Sequence, residues 1–202
     1  MLALCLACFV FSASGGAYAE VPSVFRQLVD FLGETLGMPQ QSDGSIDVQI
    51  VSDGMPDELY PGAEVVSTLA VKNQGNADAY FRFAVALRYD AQTWNRISVR
   101  FAADGYAVSD WMDVRICGED YRMKVFSYEQ ELPDGQTSPG IGMTVSVDEK
   151  TTLAQIAAIC SDFIQMKALA IETRAFKDQD GTMTAGRALD MALPLDENFN
   201  PF

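Results

Sequence analysis

Residues Ala79 to Tyr89 read AYFRFAVALRY, and this run constrains the fold more than any other part of the sequence. Phe81, Phe83, Val85 and Leu87 recur at every second position. A strand points successive side chains to opposite faces, so this period lines one face with large apolar groups. Arg82 and Arg88 share the other face with small residues, and the expectation is a strand with one buried side. The same period runs through Ile46-Asp47-Val48-Gln49-Ile50, Glu64 to Lys72 and Ile141 to Val147. Shorter strands are expected over Asn95 to Phe101, Asp110 to Cys117 and Tyr121 to Tyr128, and a long one over Phe163 to Phe176. Turn-forming clusters separate them, including Ser52 to Gly62 and Asn73 to Asn76. Leu132 to Gly140 holds two prolines and two glycines and cannot be a central strand. Helices are expected over Thr152 to Cys160 and Thr184 to Leu193, the second stopped by Pro194.

About eight strands at this spacing, with few helices, predict an all-β fold. The expected architecture is an antiparallel β-sandwich of jelly-roll type with a few short peripheral helices.

Charge and composition remove whole classes of function. The chain of 202 residues has 14 Lys+Arg against 28 Asp+Glu, a formal charge of −14, and no histidine. A polyanion is a poor partner for nucleic acid, whose binding needs Lys and Arg to displace counterions. Anionic membrane surfaces are disfavoured for the same reason. Without histidine there is no Ser-His or Cys-His pair and no HExxH zinc site.

Met1 to Ala19 carries no charge. A short apolar run, Leu2 to Phe11, leads to Ala17-Tyr18-Ala19, with small residues at −3 and −1 before Glu20. That matches a cleaved export signal, and the run is shorter than the roughly 20 apolar residues of a membrane span. No Lys or Arg follows Met1, so the expectation includes a start that lies further upstream. Two other readings stand beside it: an uncleaved membrane anchor, and a lipoprotein with Leu6-Ala7-Cys8 as part of its lipobox. The expected organisation is a signal peptide over 1–19 and a helix with its linker over 20–43. The sandwich follows over 44–196 and a loose tail over 197–202. The helix is Ser23 to Leu36, with Val24, Leu28, Phe31, Leu32 and Leu36 on one face. Removal of the leader leaves Cys117 and Cys160, read equally as one disulfide or as two buried thiols.

Several motifs occur in order. Gly44-Ser45-Ile46-Asp47-Val48-Gln49-Ile50 follows the leader. Leu59-Tyr60-Pro61-Gly62 precedes the strand Val65 to Lys72. Asn73-Gln74-Gly75 and Asp78-Ala79-Tyr80-Phe81-Arg82 come next, and Asp162 to Phe176 fills the place of a long penultimate strand. Pro61 and Gly62 suit a turn with a positive φ at Gly62. Asn73 and Gly75 are residues that tolerate left-handed conformations.

This order resembles the TasA/camelysin family of exported Gram-positive proteins, best over Gly44 to Arg88. The resemblance implies passage through a dedicated signal peptidase and a jelly-roll-like sandwich. It also implies assembly into cell-surface or biofilm-matrix fibres by donor-strand addition. Ser23 to Leu36 departs from that pattern, because it reads as a helix. The peptidase activity attached to the name camelysin is not carried over, since this chain lacks histidine.

Other candidate sites are each outweighed by a simpler role. Asp178-Gln179-Asp180-Gly181-Thr182 partly resembles a calcium loop, but Phe176 and Arg187 stand where acids are needed. Asp57-Glu58, Glu119-Asp120 and Asp148-Glu149 lie beside turns. Lys150 and Lys167 have no setting that marks a catalytic base. Trp94, Trp111, Tyr106 and Tyr121 are a candidate carbohydrate-stacking platform, with core packing as the alternative. The sequence therefore assigns no catalytic, cofactor or metal residue. It points to an exported, non-enzymatic structural protein at the cell surface, with self-association or matrix components as partners and membrane contact only through an uncleaved leader. The alternative is a secreted module that binds a surface glycan or a host protein. The leader reading has a direct check: the secreted protein should begin at Glu20 by intact mass and N-terminal sequencing. Recovery of a chain that retains Met1 to Ala19 would refute it.

Overall fold

The computed structural model describes residues 45–54, 59–89, 95–160, 163–176, 183–196 and 199–202, with 157–160 by backbone alone. The leader, Ser23 to Leu36, Asp57-Glu58, Trp94 and Asp178 to Thr182 lie outside these residues.

Nine strands are present among them: β1 (Val48–Asp53), β2 (Glu64–Asn73), β3 (Ala79–Arg88), β4 (Ile97–Ala102), β5 (Tyr106–Val108), β6 (Met112–Ile116), β7 (Glu119–Tyr128), β8 (Ile141–Val147) and β9 (Ile164–Glu172). Helix α1 (Leu153–Cys160) lies between β8 and β9. A 3-10 turn (Thr173–Phe176) follows β9 and helix α2 (Ala185–Ala192) comes last. Every pairing is antiparallel. Sheet A has the order β1-β2-β8-β4. Sheet B has the order β5-β7-β3-β9, with β6 also on β7. The chain changes sheet between β2 and β3, β3 and β4, β4 and β5, β7 and β8, and β8 and β9. Repeated crossing of this kind makes the two sheets a jelly-roll-type sandwich, as the alternation predicts.

The inner faces build the main core. Phe81, Phe83, Val85 and Leu87 are fully buried, and they meet Leu69, Val71, Met143, Val145 and Phe126. Phe81 stacks on Tyr128 at 5.3 Å, and Phe101 meets Phe126 edge-on at 5.0 Å. Each such side chain contributes roughly 1.5–3 kcal/mol through burial.

The outer face of β3 departs from expectation. Tyr80, Arg82, Ala84 and Ala86 are also buried, so β3 has two buried sides. The cover comes from the C-terminal segment. Ala185, Ala188, Leu189 and Leu193 pack on Tyr80, Leu169 and Ile171. Leu195, Phe199 and Phe202 pack against the patch formed by Ala84, Ala86, Tyr121, Met123 and Val125. Pro201 is buried as well. Residues 199–202 are thus docked on sheet B and not loose. The small side chains of Ala84 and Ala86 leave the depth that large apolar groups from the tail occupy.

Other differences are local. β1 runs on to Asp53 because it stays paired with β2 as far as Thr68. β5 is an additional short strand on β7. The last strand stops at Glu172, where Thr173 begins the 3-10 turn. Thr184 caps α2, its side chain accepting from the Arg187 N–H.

The quoted motifs form one physical unit. The turn Asn73 to Asn76 grips the backbone that leads into β1. Gln74 and Gly75 donate their N–H groups to the Asp47 carbonyl at 2.6 and 3.1 Å, and Asn76 donates to the Ser45 carbonyl at 3.0 Å. Asn73 is fully buried and donates to the carbonyls of Ala77 and Leu132. Neither Asn73 nor Gly75 has a positive φ. Glycine is needed at 75 for another reason: a Cβ there would lie 2.2 Å from the Ser45 oxygen. Gly62 does take a positive φ, 77°, in the turn closed by Ala63 N–H to the Tyr60 carbonyl at 3.0 Å. Gly75→Ala should therefore destabilise the protein by about 1–3 kcal/mol, read as a lower Tm. An unchanged Tm would show that the grip contributes nothing.

Candidate functional site

Of the four aromatic candidates Trp94 lies outside the described residues, and the other three do not form a platform. Tyr106 is buried between the sheets, where its hydroxyl donates to the Pro139 carbonyl and bonds Ser138 Oγ, both at 2.8 Å. Burial raises its pKa above the ordinary 10.0; the Ser138 bond opposes this and Tyr128 adds to it. Tyr121 is buried on the opposite face of sheet B, under the tail. Trp111 packs on Phe101 at 6.3 Å, with Lys124 over its ring at 5.1 Å. Core packing explains Tyr106 and Tyr121, and Trp111 is half-buried at the core's edge.

The polar candidates are turn and surface groups. Glu119 pairs with Arg88 at 2.8 Å, and Asp120 lies 3.7 Å from Arg115. Asp148 Oδ1 accepts the Lys150 N–H at 2.7 Å, which closes its own turn. Lys167 lies on β9 opposite Ala84, and burial lowers its pKa. Cys117 is neither buried nor bridged. It is a free, exposed thiol at the tip of the β6–β7 hairpin. Cys117 and Gly118 take φ values of 51° and 89°, the left-handed pair that a two-residue hairpin turn needs. That turn geometry overrides the apolar context that predicted burial.

What the fold assembles instead is an open sheet face. Among the described residues, the outer side of sheet A, unlike that of sheet B, carries no helix or tail. Strand register sets its rows. Glu64, Ser146 and Ser98 lie side by side, followed by Val66, Thr144 and Arg100, then Thr68, Gly142 and Ala102. Val51 sits opposite Ala70 and Gln49 opposite Lys72 on the same surface. Val66 is 64% exposed and Val51 42%. Ser146 Oγ bonds Glu64 Oε2 at 3.4 Å, and Arg100 reaches the same carboxylate at 3.9 Å. Both ends of that ion pair are well exposed, so it adds little stability. Its groups stay available to an outside partner. Thr144, Gly142 and Ser146 are small, and Glu64 and Arg100 flank them on the neighbouring strands. Hydroxyl, guanidinium and carboxylate groups here offer donors and acceptors on one side of the sheet.

These residues were missed because attention to alternation selected only its inner half. The signal was present in the other half: Glu64, Val66, Thr68, Ala70 and Lys72 alternate with the core residues of β2, and Gly142, Thr144 and Ser146 with those of β8.

No protein-family model matches the chain, and no curated protein matches it. Several solved structures are distantly similar to it. One is the carbohydrate-binding module CBM3b from the cellulosomal cellobiohydrolase 9A of Clostridium thermocellum, at 10% identity, covering 62% of this chain and 92% of that one, with a TM-score of 0.39. A CBM3 module of Hungateiclostridium clariflavum is similar at 8% identity, 62% and 92% coverage and a TM-score of 0.38. AvmM, which catalyses macrocyclization in alchivemycin A biosynthesis, is similar at 10% identity, 63% and 87% coverage and a TM-score of 0.36. Likenesses this distant assign neither a ligand nor a reaction to this chain.

The position of Cys117 has a simple check. In the folded protein, without reductant, Cys117 should react with a thiol reagent almost as fast as in the denatured chain, and Cys117→Ser should abolish that fast phase. A folded protein in which Cys117 reacts only after reduction or unfolding would contradict it.

Proposed function

We propose that this chain is an exported, non-catalytic module that works by contact, binding a glycan of the cell surface or matrix through the outer face of sheet A. The observation that carries the reading is the contrast between the two sheets. Sheet B is covered on its outside by α2 and the tail, whereas among the described residues sheet A presents Glu64, Thr144, Ser146 and Arg100 around an exposed Val66.

The size of the face favours such a ligand over a folded partner. Four strands at about 4.8 Å and some six residues at about 3.3 Å give roughly 20 by 20 Å. That is about half of the ~800 Å² per partner in a standard protein interface. A polysaccharide chain can make up for weak single contacts by repeating them. Arg100, Glu64, Thr144 and Ser146 would bond sugar hydroxyls, and Val66 would meet an apolar ring face.

A second reading follows from the TasA/camelysin resemblance: a matrix protein that assembles by strand-edge pairing. β1 and β4 are the edges of sheet A, each paired on one side within the sheet, and an open edge is a physical route to a polymer.

Retention of the mature protein on insoluble neutral and acidic polysaccharides tests the first reading. The wild type should be retained, and the double change Arg100→Ala with Thr144→Ala should weaken retention about tenfold, or ~1.4 kcal/mol. Retention unaffected by the double change would exclude this face. No retention on any glycan, with concentration-dependent filaments in the same preparation, would favour the matrix reading.

A further inference from the structure

Arg82 is the one buried charged side chain among the described residues, with a side-chain exposure of 2%. It lies on the outer face of β3, under α2. Its Nε donates to Ser127 Oγ at 3.0 Å, and its Nη2 pairs with the Asp190 carboxylate of α2. Its Nη1 is buried with no partner among the described residues. Asp190 itself is 72% exposed. A buried guanidinium that loses its counter-ion is strongly unfavourable, whereas an apolar side chain in its place needs none.

The segment that supplies Asp190 is marginal by itself. α2 has eight residues, too few for a stable isolated helix. None of its described residues joins a strand ladder of either sheet. It is held by side-chain packing of Ala188, Leu189 and Leu193, by Phe199 and Phe202, and by the Arg82–Asp190 pair. β3 by contrast is laddered on both sides and packed on both faces. Segments outside the strand ladders open at lower free energy than the doubly laddered core.

We infer that α2 forms a strap, fastened to sheet B by the buried Arg82–Asp190 pair, that opens while the sandwich stays folded. Opening uncovers the apolar outer face of sheet B. The strap concerns the sheet opposite the proposed glycan face and stands independently of it.

Amide hydrogen exchange read by mass spectrometry on the mature chain tests this. In the wild type, α2 peptides should exchange faster than those of β3 and β7. Asp190→Ala should speed α2 exchange by a further factor of roughly ten to a hundred and leave β3 and β7 protected. Arg82→Met, alone or combined with Asp190→Ala, should return α2 to wild-type protection or better. Equal protection of α2 and β3 in the wild type would overturn the inference, as would α2 exchange unaffected by Asp190→Ala. If Asp190→Ala does not fold, the double variant decides: retained α2 protection supports the fastening role, and its loss refutes it.

Discussion

From Ala79 to Leu87, strand β3 is buried on both faces, and the rest of the molecule is arranged to make that possible. Its peptide groups are satisfied by β7 on one side and β9 on the other. Its large residues, Phe81, Phe83, Val85 and Leu87, require a second sheet across the core, which β2 and β8 provide. Its small outward residues, Ala84 and Ala86, and the cation between them and Tyr80 require a cover, which the C-terminal segment provides. A strand buried on one side only would need no such cover, and both sheets would then face water alike. The asymmetry between the sheets is therefore a consequence of β3.

The strands were legible because a sheet with one buried side writes its alternation directly into the sequence. β2 and β8 show it plainly, and so does the inner half of β3. The outer half of β3 was misread for a physical reason. Arg82 reads as a solvent-facing charge, and alanine is compatible with either water or a close-packed neighbour. Only the later residues Leu189, Leu193, Phe199 and Phe202 resolve the choice, and they act from more than a hundred positions away in the chain. Cys117 shows the opposite failure. Its apolar neighbours suggested burial, but the two-residue turn that joins β6 to β7 places the thiol at a tip. Gly75 was rightly singled out for the wrong property: it is required by the closeness of the Ser45 carbonyl, not by its own dihedral angle.

The candidate site was hidden by the same logic. Attention to the core half of each alternating strand passes over Glu64, Val66, Thr144 and Arg100, which are brought into adjacent rows only by register. Tyr106 and Tyr121, two of the residues that suggest a sugar platform, instead serve the packing on opposite faces of sheet B. A contact function remains consistent with a chain that carries no histidine and a formal charge of −14. The open face holds both signs of charge, Glu64 beside Arg100 and Lys72 at its rim, within a strongly acidic molecule.

The outer face of sheet B is closed and that of sheet A is open. Hydroxyl-radical footprinting of the mature protein in solution reads that difference residue by residue. It should label Val66 on sheet A and Met191 on the exposed side of α2, and leave Met123 and Val125 beneath the tail unlabelled. Labelling of Met123 to the same extent as Met191, or protection of Val66 in the monomer, would contradict it.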